Sequence, residues 1–260
     1  MPDRNQLPGK FVWFELASSD RKKAQAFYGE VLGWKAVDFP FRGTTYEMIF
    51  AGETPDTMVG GYVATRSEGE RSRWIANVSV EDVDGAASCA TANGGKVVAP
   101  PHDLPGVGRA ATIADPDGAE LALFKNATGD PPDAPSLPPG RFLWNELHTT
   151  HPEKAVAFYE KVVGFSHRSV PSPAGPYHIL SSGGVDRGGI TGYVPPGASP
   201  HWLPFVNVDD VDATIERARQ LGARIPVEPK NLMDIGRLGI LEDPTGAVLA
   251  VMKPRPRANP

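Results

Sequence analysis

A Trp-x-Glu pair occurs twice, as Trp13/Glu15 and Trp144/Glu146, and the second copy continues to His148. Each pair sits in an apolar, β-prone run, residues 11–17 and 142–148. Side chains two apart on a strand share a face, so Trp144, Glu146 and His148 form one row, and Trp13 and Glu15 another. A carboxylate in an apolar cleft has its pKa raised and can act as a general base, which makes Glu146 and His148 the candidate catalytic residues. His178, on a neighbouring strand, could join them in a site for a divalent cation. The competing expectation is structural: Glu15 and Glu146 bond to backbone or to a repeated arginine, Arg109 or Arg237. Trp13 and Trp144, with Tyr46 and Tyr177, offer aromatic surfaces on which a flat, conjugated ligand could stack. Trp74, Trp202, Tyr28 and Tyr159 read as core.

Other chemistry is poorly represented. Cys89, the single cysteine, lies in a predicted helix without an activating neighbour and reads as inert core; one cysteine makes no disulfide framework. Gly106-Val107-Gly108 and Gly183-Gly184 are turn chemistry, with no Gly-Lys-Ser/Thr after them. His102, His151, His167 and His201 are expected in loops or helix starts, His151 opening a helix beside Pro152. A net charge of −5 argues against a nucleic-acid footprint. No run of about 18 apolar residues exists to span a membrane, and no secretory signal is evident, so a cytoplasmic location is expected.

The elements that must position these residues come from an internal repeat. Residues 11–34 shifted by 131 match residues 142–165 at eleven of 24 positions, including Trp13/Trp144, Glu15/Glu146, Phe27/Phe158, Tyr28/Tyr159 and Gly33/Gly164. Gly61-Tyr62-Val63 and Gly192-Tyr193-Val194 keep that offset. Later segments match at 128: Trp74/Trp202, Asp82/Asp210, Gly108-Arg109/Gly236-Arg237 and Asp115-Pro116/Asp243-Pro244. A three-residue length difference is therefore expected between Val63 and Trp74. The proline-rich stretch around residues 129–139 reads as a stiff, extended linker between domains at residues 1–128 and 140–260. Within the first half, strands are expected at 11–17, 34–38, 45–50 and 58–64, then 74–80, 96–98, 109–114 and 120–125. Helices follow Asp20 and span 83–93. Each half is thus βαβββ followed by βαβββ. The fold class is α+β: two tandem domains, each a pair of βαβββ modules forming a curved mixed sheet that lines a cleft.

These features resemble the vicinal oxygen chelate superfamily, which holds glyoxalase I, bleomycin-resistance proteins and extradiol dioxygenases. The likeness rests on Ala-Phe-Tyr-x-x-Val-x-Gly (26–33 and 157–164), Val-x-Asp-Val-Asp (80–84 and 208–212) and Asp-Pro-x-Gly (115–118 and 243–246). Enzymes of that family hold a divalent metal on inner strands. Carried over one at a time, its ligand positions fall on Trp13, Gly61, Ile75 and Ala122, and on Trp144, Gly192, Leu203 and Ala250. None of these side chains binds a divalent cation usefully. The resemblance therefore implies a tandem glyoxalase-like protein with no metal site at the usual positions and no cofactor. It would bind an apolar or aromatic small molecule through Trp13, Glu15, Tyr46, Trp144, Glu146, His148 and Tyr177, for sequestration or as an accessory in metabolite tailoring. The alternative is a lyase, isomerase or oxygenase using Glu146 and His148, with or without a metal. A third possibility is a protein-interaction module whose clefts are filled by their own side chains. Relatives with one domain pair as dimers, so the halves are expected to pack as an intramolecular pseudo-dimer, with a homodimer also open.

Overall fold

The computed structural model describes residues 5–41, 43–173, 175–232 and 235–255, the side chain of Phe41 apart. The first half runs β1 (Phe11–Ser18), α1 (Arg21–Leu32), β2 (Lys35–Phe41), β3 (Thr44–Phe50), β4 (Met58–Ala64), β5 (Arg73–Ser79), α2 (Val83–Ala92), β6 (Lys96–Leu104), β7 (Gly108–Ala114) and β8 (Glu120–Asn126). The second repeats the order: β9 (Phe142–His148), α3 (Pro152–Val163), β10 (Ser166–Ser172), β11 (Gly175–Ser182), β12 (Val185–Thr191), β13 (His201–Asn207), α4 (Val211–Gln220), β14 (Arg224–Leu232), β15 (Gly236–Glu242) and β16 (Val248–Pro254). The strands form two eight-stranded mixed sheets, ordered β2-β3-β4-β1-β5-β8-β7-β6 and β10-β11-β12-β9-β13-β16-β15-β14. Each module closes with a parallel pair, β1 with β4, β5 with β8, β9 with β12 and β13 with β16.

Local chemistry explains the boundaries. The Asp20 carboxylate accepts from Lys23 N and starts α1; Asp82 and Asp210 cap α2 and α4 in the same way. Gly33 ends α1 at φ 69°, a conformation that costs other residues more. In each Asp-Pro-x-Gly turn one carboxylate oxygen, from Asp115 or Asp243, accepts two backbone N–H groups. Ala24, Phe27 and Tyr28 are the buried stripe of α1, whereas Val31 and Leu32 are only half-buried.

Three expectations are corrected. Strand β6 continues to Leu104 through Pro100 and Pro101 instead of stopping at residue 98, and β14 runs through Pro226 and Pro229. Both are edge strands, where a missing N–H breaks no ladder on the open side. His102, His167 and His201 lie on β6, β10 and β13 rather than in loops; His151 does open α3. The length difference between the copies also lies earlier than Val63. Gly61 sits opposite Glu15, and Gly189, not Gly192, sits opposite Glu146. The extra residues are the turn at Pro55–Thr57 before β4, and the Gly-Tyr-Val match at 192 is a coincidence of composition.

The chain packs as two compact units. One, here the first unit, gathers Ile75–Asp133 and Trp144–Leu203 with the chain up to Trp13; the other gathers Phe14–Trp74, Ala134–Leu143 and the chain from Pro204. Each unit therefore combines one module from each half. In the first unit α2 packs on α3, and in the second α1 packs on α4. Their aromatic cores are built alike. In the first, Phe11 lies 5.5 Å from the Trp202 ring and 6.4 Å from Phe165, and Trp202 Nε1 donates to Tyr159 Oη, which donates to Asp115. In the second, Phe142 lies 5.5 Å from both Trp74 and Trp34, and Trp74 Nε1 donates to Tyr28 Oη. Burial, then the Asp243 charge, raises the Tyr28 phenol well above its ordinary value. Trp74, Trp202, Tyr28 and Tyr159 are thus core residues, as their sequence setting implies. The proline-rich segment is tied down at its start: Asp130 accepts from Leu7 N and Ser79 Oγ, and Asp133 pairs with Arg187 and Lys10.

Candidate functional site

In the first unit, β9 carries Trp144, Glu146 and His148 on one face, while Asn145 and Leu147 on the other are fully buried. Tyr177 reaches across from β11. Its hydroxyl donates to Glu146 Oε2 at 2.7 Å and accepts from Trp144 Nε1 at 2.9 Å. Glycine is required beneath it: a Cβ at Gly189 would stand 2.0 Å from the hydroxyl. Burial, then the Glu146 charge, raises the Tyr177 phenol well above its ordinary value, so it remains a donor.

The other carboxylate oxygen, Glu146 Oε1, lies 2.9 Å from His148 Nε2, close enough for an ion pair although off the axis of a hydrogen bond. His148 is 5% exposed, and neither ring nitrogen has a hydrogen-bond partner among the described residues. His201, at the start of β13, stacks on it with ring centroids 5.1 Å apart. Its Nδ1 sits 2.8 Å from the Ser199 carbonyl and must donate to it, so in neutral His201 the Nε2 is a bare acceptor. Burial lowers the His201 pKa, which keeps the ring neutral at pH 7. Tyr193, half-exposed, stands 6.2 Å from His148.

The second unit holds a simpler counterpart. Tyr46 Oη donates to Glu15 Oε1 at 3.0 Å, over Gly61, where a Cβ would lie 2.2 Å away. Ala17 stands where β9 has His148. Around Tyr46 the same face carries Val37, Phe39 and Met48. Their counterparts beside Tyr177 are Arg168, paired with Asp186, and Val170 and Ile179. Trp13 lies half-buried on β1, in the alternation of Glu15.

The structure thus brings Trp144, Glu146, His148 and Tyr177 together, and Glu15 with Tyr46. Neither glutamate turns to a repeated arginine: Arg109 pairs with Asp84 and Asp103, and Arg237 with Asp212. His178 does not join Glu146 and His148. It follows Tyr177 in β11, so it points to the opposite face, where it is buried against Ser169. Cys89 is half-buried, not core, with Sγ 3.5 Å from the Lys161 carbonyl. Sequence reasoning missed His201 and Tyr193. A signal existed: with the corrected register, their counterparts are Arg73 and Thr65, so His148, His201 and Tyr193 all depart from the first copy while Trp144 and Tyr177 do not.

The residues do not fit a divalent metal at the positions the resemblance points to. Trp144, Gly189, Leu203 and Ala250, like Trp13, Gly61, Ile75 and Ala122, present no oxygen, imidazole or thiolate donor from a side chain. Among the described residues no three His, Cys, Asp or Glu side chains gather as a cation site. No helix among them is long and apolar enough to cross a membrane.

Comparison with known proteins agrees with this architecture. The family model of the Glyoxalase/Bleomycin resistance protein/Dioxygenase superfamily matches residues 10–123 and again 141–251. "Putative glyoxylase CFP32" of Mycobacterium tuberculosis (strain CDC 1551 / Oshkosh) is 33% identical over 261 residues, spanning 99% of this chain and 100% of that protein. "Anthracycline biosynthesis protein DauV" of Streptomyces sp. (strain C5) is 29% identical, spanning 95% and 94%. The Mn(II)-bound glyoxalase from Novosphingobium aromaticivorans superposes with a TM-score of 0.63 at 20% identity, over 96% of this chain and 82% of that one, a likeness of fold. On these matches, which run through both halves, the chain belongs to the Glyoxalase/Bleomycin resistance protein/Dioxygenase superfamily.

Proposed function

We propose that the chain binds a flat, apolar or aromatic small molecule on the face of the first unit lined by Trp144, Tyr177, Tyr193 and the two imidazoles, in sequestration or in an accessory step of metabolite tailoring. The observation that supports this reading is the chain of contacts Trp144–Tyr177–Glu146–His148–His201. It holds polar atoms at fixed points among aromatic rings, the composition of a small-molecule site. The 29% identical relatives described as anthracycline biosynthesis proteins favour a polycyclic aromatic ligand. A second reading, a lyase, isomerase or oxygenase using Glu146 and His148, draws on the 2.9 Å approach of those two side chains.

Calorimetric titration of the full chain with alizarin, a planar hydroxyanthraquinone, tests the proposal. The expected result is saturable binding that Trp144→Leu weakens by about tenfold, roughly the loss of one aromatic stacking contact. Cys89→Ser, on α2, leaves the affinity unchanged. Absence of binding, or equal affinity in Trp144→Leu, overturns it.

A further inference from the structure

His148 invites a more specific assignment, which rests on the ligand site proposed above. Its ring is almost wholly buried, yet both nitrogens lack hydrogen-bond partners among the described residues, a costly state that a bound polar group would relieve. One nitrogen, Nε2, already faces the Glu146 carboxylate, and the Tyr177 hydroxyl fixes that carboxylate from its other oxygen. With the proton on Nε2 toward Glu146, Nδ1 is left as a bare acceptor. His201 stacks against the ring with its own proton committed to Ser199, so its Nε2 is a second bare acceptor. An imidazole nitrogen that has no proton of its own and no donor bonded to it selects a ligand that brings one.

We propose that His148, oriented by Glu146, takes the proton of an acidic hydroxyl on a bound phenol or enol. The ligand O–H bond breaks, Nδ1–H forms, and the oxyanion stays paired with the imidazolium, whose other N–H faces Glu146. No oxidant, reductant or metal enters. Among the described residues, the charged and titratable groups beside His148 are Glu146, His201 and Tyr193, with Tyr177 bonded to the far oxygen of Glu146; Arg168, on the same sheet face, is already paired with Asp186. The other acidic partner of the unit's α3 end, Asp117, is held by Thr149 and His151. Glu146→Gln keeps the hydrogen-bonding shape and removes the charge that steadies the imidazolium, which makes Glu146 a positioning residue for His148.

Alizarin is also the probe here, because losing a phenolic proton moves its visible band to the red, while tryptophan quenching reports binding separately. Titrations use the full chain with excess EDTA, at a pH where free alizarin is neutral. The expected result is a red-shifted spectrum on binding, equivalent to an ionisation midpoint lowered by about one pH unit, a tenfold change. His102→Asn, on β6, keeps that shift. His148→Asn binds, as quenching shows, but with the spectrum of neutral alizarin, and Glu146→Gln recovers part of the midpoint. Binding to the unaltered chain without a red shift overturns this inference and leaves the proposed ligand site standing. A red shift that persists in His148→Asn, or one that appears only without EDTA, also overturns it. No quenching at all removes both.

Discussion

The two glutamate faces share a backbone frame and differ in what stands around it. In the second unit, Glu15 and Tyr46 are flanked by Ala17, Val37, Phe39 and Met48. In the first, Glu146 and Tyr177 have gained His148, His201 and Tyr193. The Tyr-over-Gly contact is kept in both copies, as an element of the frame would be. The imidazoles occur in one copy, where a frame does not need them: His148 meets the Glu146 carboxylate and His201 stacks on His148. The difference separates what the sheet requires from what a ligand would require.

The same comparison extends to the cores and can be broken there first. Phe142 stacks on Phe14 with centroids 3.8 Å apart, whereas Phe11 meets the first unit in which Asn145 takes the place of Phe14. Phe142→Ala is expected to cost roughly 3–4 kcal/mol in urea unfolding, and Phe11→Ala about 1 kcal/mol less, the value of the missing aromatic pair. Equal losses would mean that the two cores are energetically the same despite their different neighbours. Asn145 gives the next largest effect. Its residue is fully buried and neither amide atom has a hydrogen-bond partner among the described residues. Asn145→Leu should therefore stabilise the chain by about 1–2 kcal/mol, read as a higher urea midpoint at unchanged m.

The smallest expected effect concerns acid. Burial lifts the Asp117 carboxyl, but hydrogen bonds from Thr149 and His151 more than offset this and hold it below the usual carboxylate range. A carboxyl lowered by folding adds stability above its unfolded pKa and loses it as pH falls through the folded one. Asp117→Asn should cost about 1 kcal/mol at pH 7, with the difference from the unaltered chain closing as pH falls through the lowered pKa of Asp117. The second unit has Thr245 at this place, 3.4 Å from Ser18 and donating to Asp243 Oδ1, so Thr245→Ala removes an uncharged donor rather than a titrating group. Thermal unfolding of both variants across pH would sharpen the contrast.

Much of this was legible in the residues. Aspartates before apolar periodicity marked three helix starts, and the Trp-x-Glu row lies where strand alternation puts it. The errors share a cause, which is that parity and register are set by pairing partners. His178 is one residue past Tyr177, and that single step sends it to the far face. Gly192 looked like Gly61 because three letters matched, but the strand opposite Glu146 presents Gly189. The strand expected at 96–98 continues through Pro100 and Pro101, and only the sheet order shows that β6 is an edge that tolerates them. The interleaving of modules into units was beyond reach for a related reason. Near-identical copies offer the same apolar surfaces, so composition cannot choose which module packs with which.

That interleaving ties the fates of the two copies. The tyrosine of one repeat's first helix lies beside the turn aspartate of the other, Tyr159 with Asp115 and Tyr28 with Asp243. A substitution at either aspartate is therefore felt by a side chain more than forty positions away in the neighbouring repeat. Drift in the buried parts is coupled across the duplication, while the open faces can specialise one at a time; gene conversion that homogenised the copies would erase the histidines before it disturbed the fold.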